Sequence, residues 1–240
     1  MNHTSELGDP IGAPMPEGWK APPKPTRSNM AGQFVRLEPL VVAHAEALHA
    51  ANVSGPDGRN WTYLPYGPFD SLAAYRGWVG EMTRDGDPLF YAVIRQSDGQ
   101  AVGVASYLRI TPGSGSIEVG HINFSPLLQR TPGATEAMYL MMKWAFEAGY
   151  RRYEWKCDSV NMPSRRAALR LGLSYEGVFR QATTYRGRNR DTAWYAAVDS
   201  EWPALKSAFE TWLDPANFDA AGQQRQSLSA LTRPVLVNVG

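Results

Sequence analysis

The 240-residue chain has little cysteine: one residue, Cys157. A single thiol excludes an intramolecular disulfide framework and a cysteine-based zinc cluster, and it fits a reducing compartment. Long apolar runs are also missing. No segment approaches the roughly 18 consecutive apolar residues of a transmembrane helix, so no membrane partner is expected. The opening MNHTSELGDP lacks a basic stretch followed by an apolar one, so no signal peptide is expected and a cytoplasmic location is the default. Neither charge dominates, with 24 Lys and Arg against 23 Asp and Glu and a formal net charge of +1. That balance argues against a protein held on nucleic acid by bulk positive charge, and against an acidic solvating tail.

What is present is ordinary for a folded enzyme-sized chain. Hydrophobic residues make up 43% and charged residues 20%, which argues against wholesale disorder. Eight Trp among 27 aromatics are enough to line a pocket as well as fill a core. Six of the 18 prolines fall in residues 1–30, so residues 1–31 read as an extended arm. Residues 32–213 read as one domain. Residues 214–240 read as a polar tail that docks either on this chain or on a partner.

Within that domain the pattern predicts a strand over 33–39 and a helix over 40–52. An aromatic loop follows over 60–69, and then a helix from 70 or 71 to about 84. Ser97, Asp98 and Gly99 form a hairpin signal between strands at 89–96 and 100–110, and a third strand covers 116–124. Helices over 134–149, 164–171 and 202–213 alternate with strands over 152–157, 175–185 and 191–198. This order describes an α+β protein, a mixed, mostly antiparallel sheet with helices on its faces.

The stretch 116–182 carries the chemistry. The junction Gln129–Arg130–Thr131–Pro132–Gly133–Ala134–Thr135 leads into a helix, and free N–H groups at a helix N-terminus bind anions. An ordinary helix start has the same look. Gln129 and Ala134 occupy the first and last positions of a Q/R-x-x-G-x-G/A motif, followed by Thr135–Glu136–Ala137. Asn161 and Ser164 open a short helix that ends in Leu171–Gly172–Leu173, and Tyr175–Glu176–Gly177 begins the next strand. With the opening segment FVRLEPL, these residues resemble the GCN5-related N-acetyltransferases (GNAT), in particular the branch of ribosomal-protein alanine acetyltransferases. The resemblance spans roughly residues 32–200.

The resemblance implies a GNAT fold and acetyl-CoA as co-substrate, with no metal. The pantetheine arm would pair along Asn123, Phe124 and Ser125. The pyrophosphate would sit near Gln129, Arg130, Gly133, Ala134 and Thr135, and Asn161 would either contact the pantetheine or cap its helix. The acetyl group would pass directly to a primary amine of a small molecule or a peptide N-terminus. Two departures stand out. Pro132 fills the motif's middle glycine position and removes one N–H. Thr183 stands where the ribosomal-protein enzymes often carry Glu. A non-catalytic acyl-CoA-binding module and a protein N-terminal acetyltransferase are the alternatives, and a homodimer is compatible with the sequence.

The attacking amine must lose a proton, so a base is needed. Glu118 and His121 are candidates, each with a structural alternative as a strand charge or a hydrogen-bonded histidine. Three residues apart, they face opposite sides of a strand unless a bulge intervenes. A pKa near 6.5 would suit His121 to proton transfer. Ser164 resembles the serine placed near the CoA sulfur, with Tyr185 and Tyr195 as alternative proton donors. Cys157 reads as a core residue. Trp61, Tyr63, Tyr66 and Phe69 are the candidate walls of the acceptor pocket, or else pack the loop onto the core. Residues 129–190 hold 12 Lys and Arg against five Asp and Glu, so positive charge concentrates in the proposed cofactor half.

Overall fold

The run Leu89–Ile94 has no polar face because both of its faces are covered. In the computed structural model, which describes residues 3–55 and 57–240, it forms strand β5 (Leu89–Arg95). Leu89, Tyr91 and Val93 enter one core, and Phe90, Ala92 and Ile94 enter the other. A strand buried on both sides reads as a continuous apolar segment rather than an alternating one.

The strands before β5 are β1 (His3–Thr4), β2 (Pro10–Ile11), β3 (Met30–Ala31) and β4 (Val35–Pro39). Helices α1 (Ala45–Val53) and α2 (Leu72–Met82) separate β4 from β5. After β5 come β6 (Ala101–Thr111), β7 (Ser116–Phe124), α3 (Pro132–Glu147), β8 (Arg152–Asp158) and α4 (Met162–Arg170). The chain then adds β9 (Ser174–Tyr185), β10 (Arg188–Val198), α5 (Trp202–Leu213) and α6 (Leu228–Thr232). The main sheet has the order β3-β4-β5-β6-β7-β8-β10-β9, antiparallel except for β7 against β8. Helices α3, α5 and α6 pack on one face, and α1 and α2 pack on the other over β4–β6. This is an α+β fold with a mixed sheet between helices.

Local chemistry sets the helix starts, and several differ from expectation. Helix α3 begins at Pro132 rather than 134. Thr131 caps it by accepting from the Ala134 N–H at 3.3 Å, and Pro132 fills the first position, where a missing N–H costs nothing. Helix α4 begins at Met162 rather than 164, with Asn161 as its cap. The helix expected from residue 40 starts instead as a 3-10 turn (Val42–His44) that leads into α1. Ser71, not Asp70, caps α2.

The terminal segments both touch the domain. Of residues 1–31, Met30–Ala31 joins the sheet as its edge strand. Upstream, the Tyr91 and Tyr150 hydroxyls donate to the carbonyls of Thr26 and Pro23, at 2.9 and 3.0 Å. The segment 214–240 docks on its own chain through α6, whose Leu228 is fully buried. Gly172 makes room for α5 beside α6. Its φ of +85° stops α4, and a Cβ there would meet the Leu205 side chain at 2.3 Å. Among the described residues, no helix is long and apolar enough to cross a membrane.

Candidate active site

The parallel strands β7 and β8 pair only from Ser116 with Arg152 to Val119 with Trp155. Beyond that point Asn123 and Phe124 pair with β6 alone, and Lys156, Cys157 and Asp158 pair with β10 alone. The two strands therefore splay into a wedge. Its walls are the C-terminal half of β7, the end of β8, and the N-termini of α3 and α4.

A bulge brings the two candidate bases to one side. Between Val104 and Ser106 on β6, strand β7 runs from Asn123 to Gly120, one residue more than its partner. The extra residue is taken up at His121, whose φ is 50°. Glu118 and His121, three apart, now share the α1–α2 side of the sheet. The His121 ring packs on Phe90 and stacks on Tyr66, with centroids 5.7 Å apart, and its Nδ1 shares a 3.1 Å hydrogen bond with the Tyr66 hydroxyl. Burial first, then Arg109 and Arg190, pushes the His121 pKa down to about 4. The sequence-based expectation of a value near 6.5 is thus corrected: the ring is neutral at ordinary pH.

Glu118 is 3% exposed and sits between two cations. Arg109 Nη1 donates to Oε1 at 2.8 Å, and Lys156 Nζ lies 2.8 Å from Oε2. Burial raises its proton affinity above that of an ordinary carboxylate, against the opposing pull of Lys156 and Arg109. Arg109 is aimed by a second bulge, on β6, where its φ is 47°. The Asp87 carboxylate accepts the Arg109 and Ile110 N–H groups freed by that bulge, at 2.9 and 3.0 Å.

On the opposite wall, Ser164 Oγ accepts from Trp155 Nε1 at 3.0 Å. Its own proton stays available to a further acceptor. Capping of α4 falls to Asn161, whose Oδ1 accepts the Ser164 N–H at 3.2 Å and whose amide nitrogen stays available to a ligand. Tyr195 is fully buried and accepts from Arg165 Nε at 2.9 Å, and Tyr185 donates to Asp158 Oδ2 at 3.0 Å. Burial raises the Cys157 thiol, and the neighbouring Ser164 only partly offsets this. The cysteine is a buried thiol, not a thiolate.

The cofactor side carries unsatisfied polar groups. Asn123 Nδ2 and Ser125 Oγ are buried without a partner among the described residues. Gln129 Nε2 donates to the Phe124 carbonyl at 2.7 Å, and Arg130 is exposed with φ of 61°. Pro132 offers no N–H and the Ala134 N–H is capped by Thr131, so Gly133 supplies the first-turn donor that remains. Gly133 also packs tightly, since a Cβ there would meet Val35 at 2.8 Å. The Thr135 hydroxyl turns inward and accepts from Arg170 Nη1 at 3.0 Å.

The aromatic loop divides in two. Trp61 is buried and meets Tyr66, Phe69 and Tyr75 edge-on, so Trp61 and Phe69 serve mainly as packing. They also line a cavity of about 200 Å³ with His49, Asn52 and Tyr75. Tyr66 faces His121, and the Tyr63 hydroxyl reaches the Val160 carbonyl across the wedge at 3.5 Å. Asn60 ties the loop in place, donating to Asn52 Oδ1 at 2.6 Å and Asn123 Oδ1 at 3.0 Å. Sequence reasoning missed Arg109, Lys156 and Asn60. Only strand register brings the first two to Glu118, and no local pattern marks Asn60.

The acetyltransferase (GNAT) domain family matches residues 35–174, more than half of the chain. A GCN5-related N-acetyltransferase from Brucella melitensis is 46% identical, with a TM-score of 0.88, over 90% of this chain and 99% of that one. The uncharacterized N-acetyltransferase YnaD of Bacillus subtilis (strain 168) is 26% identical over 147 residues, 61% of this chain and 84% of YnaD. The ribosomal L7/L12 alpha-N-protein acetyltransferase RimL shares the fold, at 21% identity and a TM-score of 0.61 over 71% of this chain and 94% of that one. The chain belongs to the GNAT family and is an acetyltransferase.

Proposed function

We propose that the protein transfers the acetyl group of acetyl-CoA to a primary amine by direct attack in a ternary complex. The observation that carries this reading is the wedge between β7 and β8, with a buried carboxylate on one wall, a serine fixed by Trp155 on the other, and orphaned polar groups between them. Asn123 Nδ2 and Ser125 Oγ suit an extended amide-bearing chain laid along the β7 edge. The Gly133 N–H at the α3 N-terminus, together with the Arg130 side chain, suits the pyrophosphate.

Acetyl-CoA supplies an activated acyl carbon and a thiolate leaving group. In this scheme the amine nitrogen bonds that carbon as the C–S bond breaks. Glu118 takes the amine's proton through water, because its raised proton affinity makes it the stronger base. His121, neutral and a weak base, offers Nε2 to orient the amine or that water while Tyr66 holds Nδ1. Ser164 donates to the departing sulfur while Trp155 fixes its oxygen. Arg186 Nη2 donates to the Tyr66 carbonyl at 2.6 Å and also to that of Gly67, tying the β9–β10 hairpin to the aromatic loop. That bridge narrows the mouth and favours a small-molecule amine over a folded protein.

The test is the acid limb of kcat/KM with Glu118→Gln. The wild-type rate is expected to fall as pH drops through a value above 4.5, the ordinary value for Glu. The variant loses that limb and about a hundredfold in rate. A limb near 4 that survives in the variant would transfer the base role to His121.

A further inference from the structure

Most cations around the wedge have partners. Arg109 pairs with Glu118, and Lys156 lies between Glu118 and Glu154. Arg165 is engaged by Tyr195 and the Ser159 carbonyl, and Arg186 by the loop carbonyls. Arg190 differs. It stands half-buried on β10 opposite Thr183, two residues past the Tyr185–Arg188 pair that closes the hairpin turn carrying Arg186, and its charge shifts the titration of His121, Cys157 and Tyr185.

Among the described residues no carboxylate pairs with Arg190, and its Nε is buried without a hydrogen-bond partner. The acids beside it are occupied. Asp158 accepts from Tyr185 and from the Val160 N–H, and Asp191 accepts from the Gln181 N–H and Asn189 Nδ2. A buried, uncompensated guanidinium donor is costly unless an anion completes it, and its fork geometry matches a carboxylate or a phosphate.

We infer that Arg190 anchors an oxyanion of the acceptor, so that the amine to be acetylated belongs to a molecule that also bears a carboxylate or a phosphate. The geometry behind this is strand alternation: Arg190 shares the β10 face of Trp194, whose ring centre lies 3.7 Å from Lys156 Nζ, and Lys156 pairs with Glu118 on the acceptor side of the wedge. The inference rests on the acetyltransferase reading above. It adds a substrate class, because a simple alkyl amine would leave Arg190 unpaired.

The test uses full-length protein, acetyl-CoA and matched acceptor pairs: L-amino acids against their amides, and phosphoethanolamine against ethanolamine. Wild-type kcat/KM is expected to favour the anionic member of at least one pair by about tenfold to a hundredfold, and the favoured pair separates carboxylate from phosphate. Arg190→Gln levels that preference, chiefly through KM, and Arg190→Lys keeps part of it. Equal kcat/KM within every pair, or a preference undiminished in a folded Arg190→Gln protein, would overturn the inference. If no amine is acetylated, the acetyl-transfer reading fails on its own. The anchor is then judged by calorimetry of the same pairs on CoA-saturated protein. Anion-selective binding lost in Arg190→Gln supports it, and binding without anion selectivity overturns it.

Discussion

His121→Asn isolates the burial of a neutral imidazole in the site. Asn accepts the left-handed backbone that the bulge imposes at φ 50°, so the substitution leaves the bulge unstrained. The ring's pKa is 6.5 when unperturbed and about 4 in the folded protein. The unfolded chain therefore binds its proton first as pH falls. A depressed folded-state pKa gives stability that is full above about 6.5 and is lost as pH drops toward 4. The fall from 6.5 to about 4 corresponds to about 3 kcal/mol. Urea unfolding of both proteins at steps from pH 8 to pH 4 measures it, and carboxylates that titrate alike in both proteins cancel in the difference. The wild type should lose about 3 kcal/mol relative to the variant, almost all of it below pH 6.5. A difference constant to within about 1 kcal/mol over that range would refute burial of the neutral ring.

Two further variants probe the walls. Ser164→Ala should lower kcat by about tenfold to a thousandfold and leave CoA affinity nearly unchanged, and an unaltered kcat in steady-state assays removes the serine from the chemistry. The buried Glu136 carboxylate accepts the N–H groups of Gln33, Phe34 and Val35 at 2.7, 2.7 and 2.8 Å. Glu136→Ala should cost at least about 3 kcal/mol by chemical denaturation, and a loss under about 1 kcal/mol would mean that water replaces the carboxylate.

Elements with a strong apolar pattern were legible. Residues 116–124 and 202–213 form β7 and α5 with the expected bounds, and the continuous apolar run of β5 marked a strand. The starts of α3 and α4 were harder to read. Pro132–Gly133 and Met162–Pro163 look like loop, and only the caps Thr131 and Asn161 turn them into first turns. A bulge between Glu118 and His121 was raised only as the condition for their sharing a face, and the bulge at Arg109 was not foreseen, because neither Arg109 nor His121 is a glycine and the strain is absorbed by tertiary partners such as Asp87 and Tyr66. The charge row Arg109–Glu118–Lys156–Glu154 spans three strands and needs their register. The docking of α6 depends on Thr232 seated against Gly172 and the Arg170 carbonyl, far away in the chain.

Transfer of acetyl from acetyl-CoA directly to a primary amine leaves a kinetic signature. An initial-velocity matrix varying acetyl-CoA and a panel of amines, followed by release of free CoA, tests it most directly. Amine-dependent CoA release with intersecting reciprocal plots is expected, because both substrates must occupy the wedge together and the buried Cys157 offers no acyl carrier. Parallel plots, or CoA binding with no amine-dependent release for any acceptor, would contradict it.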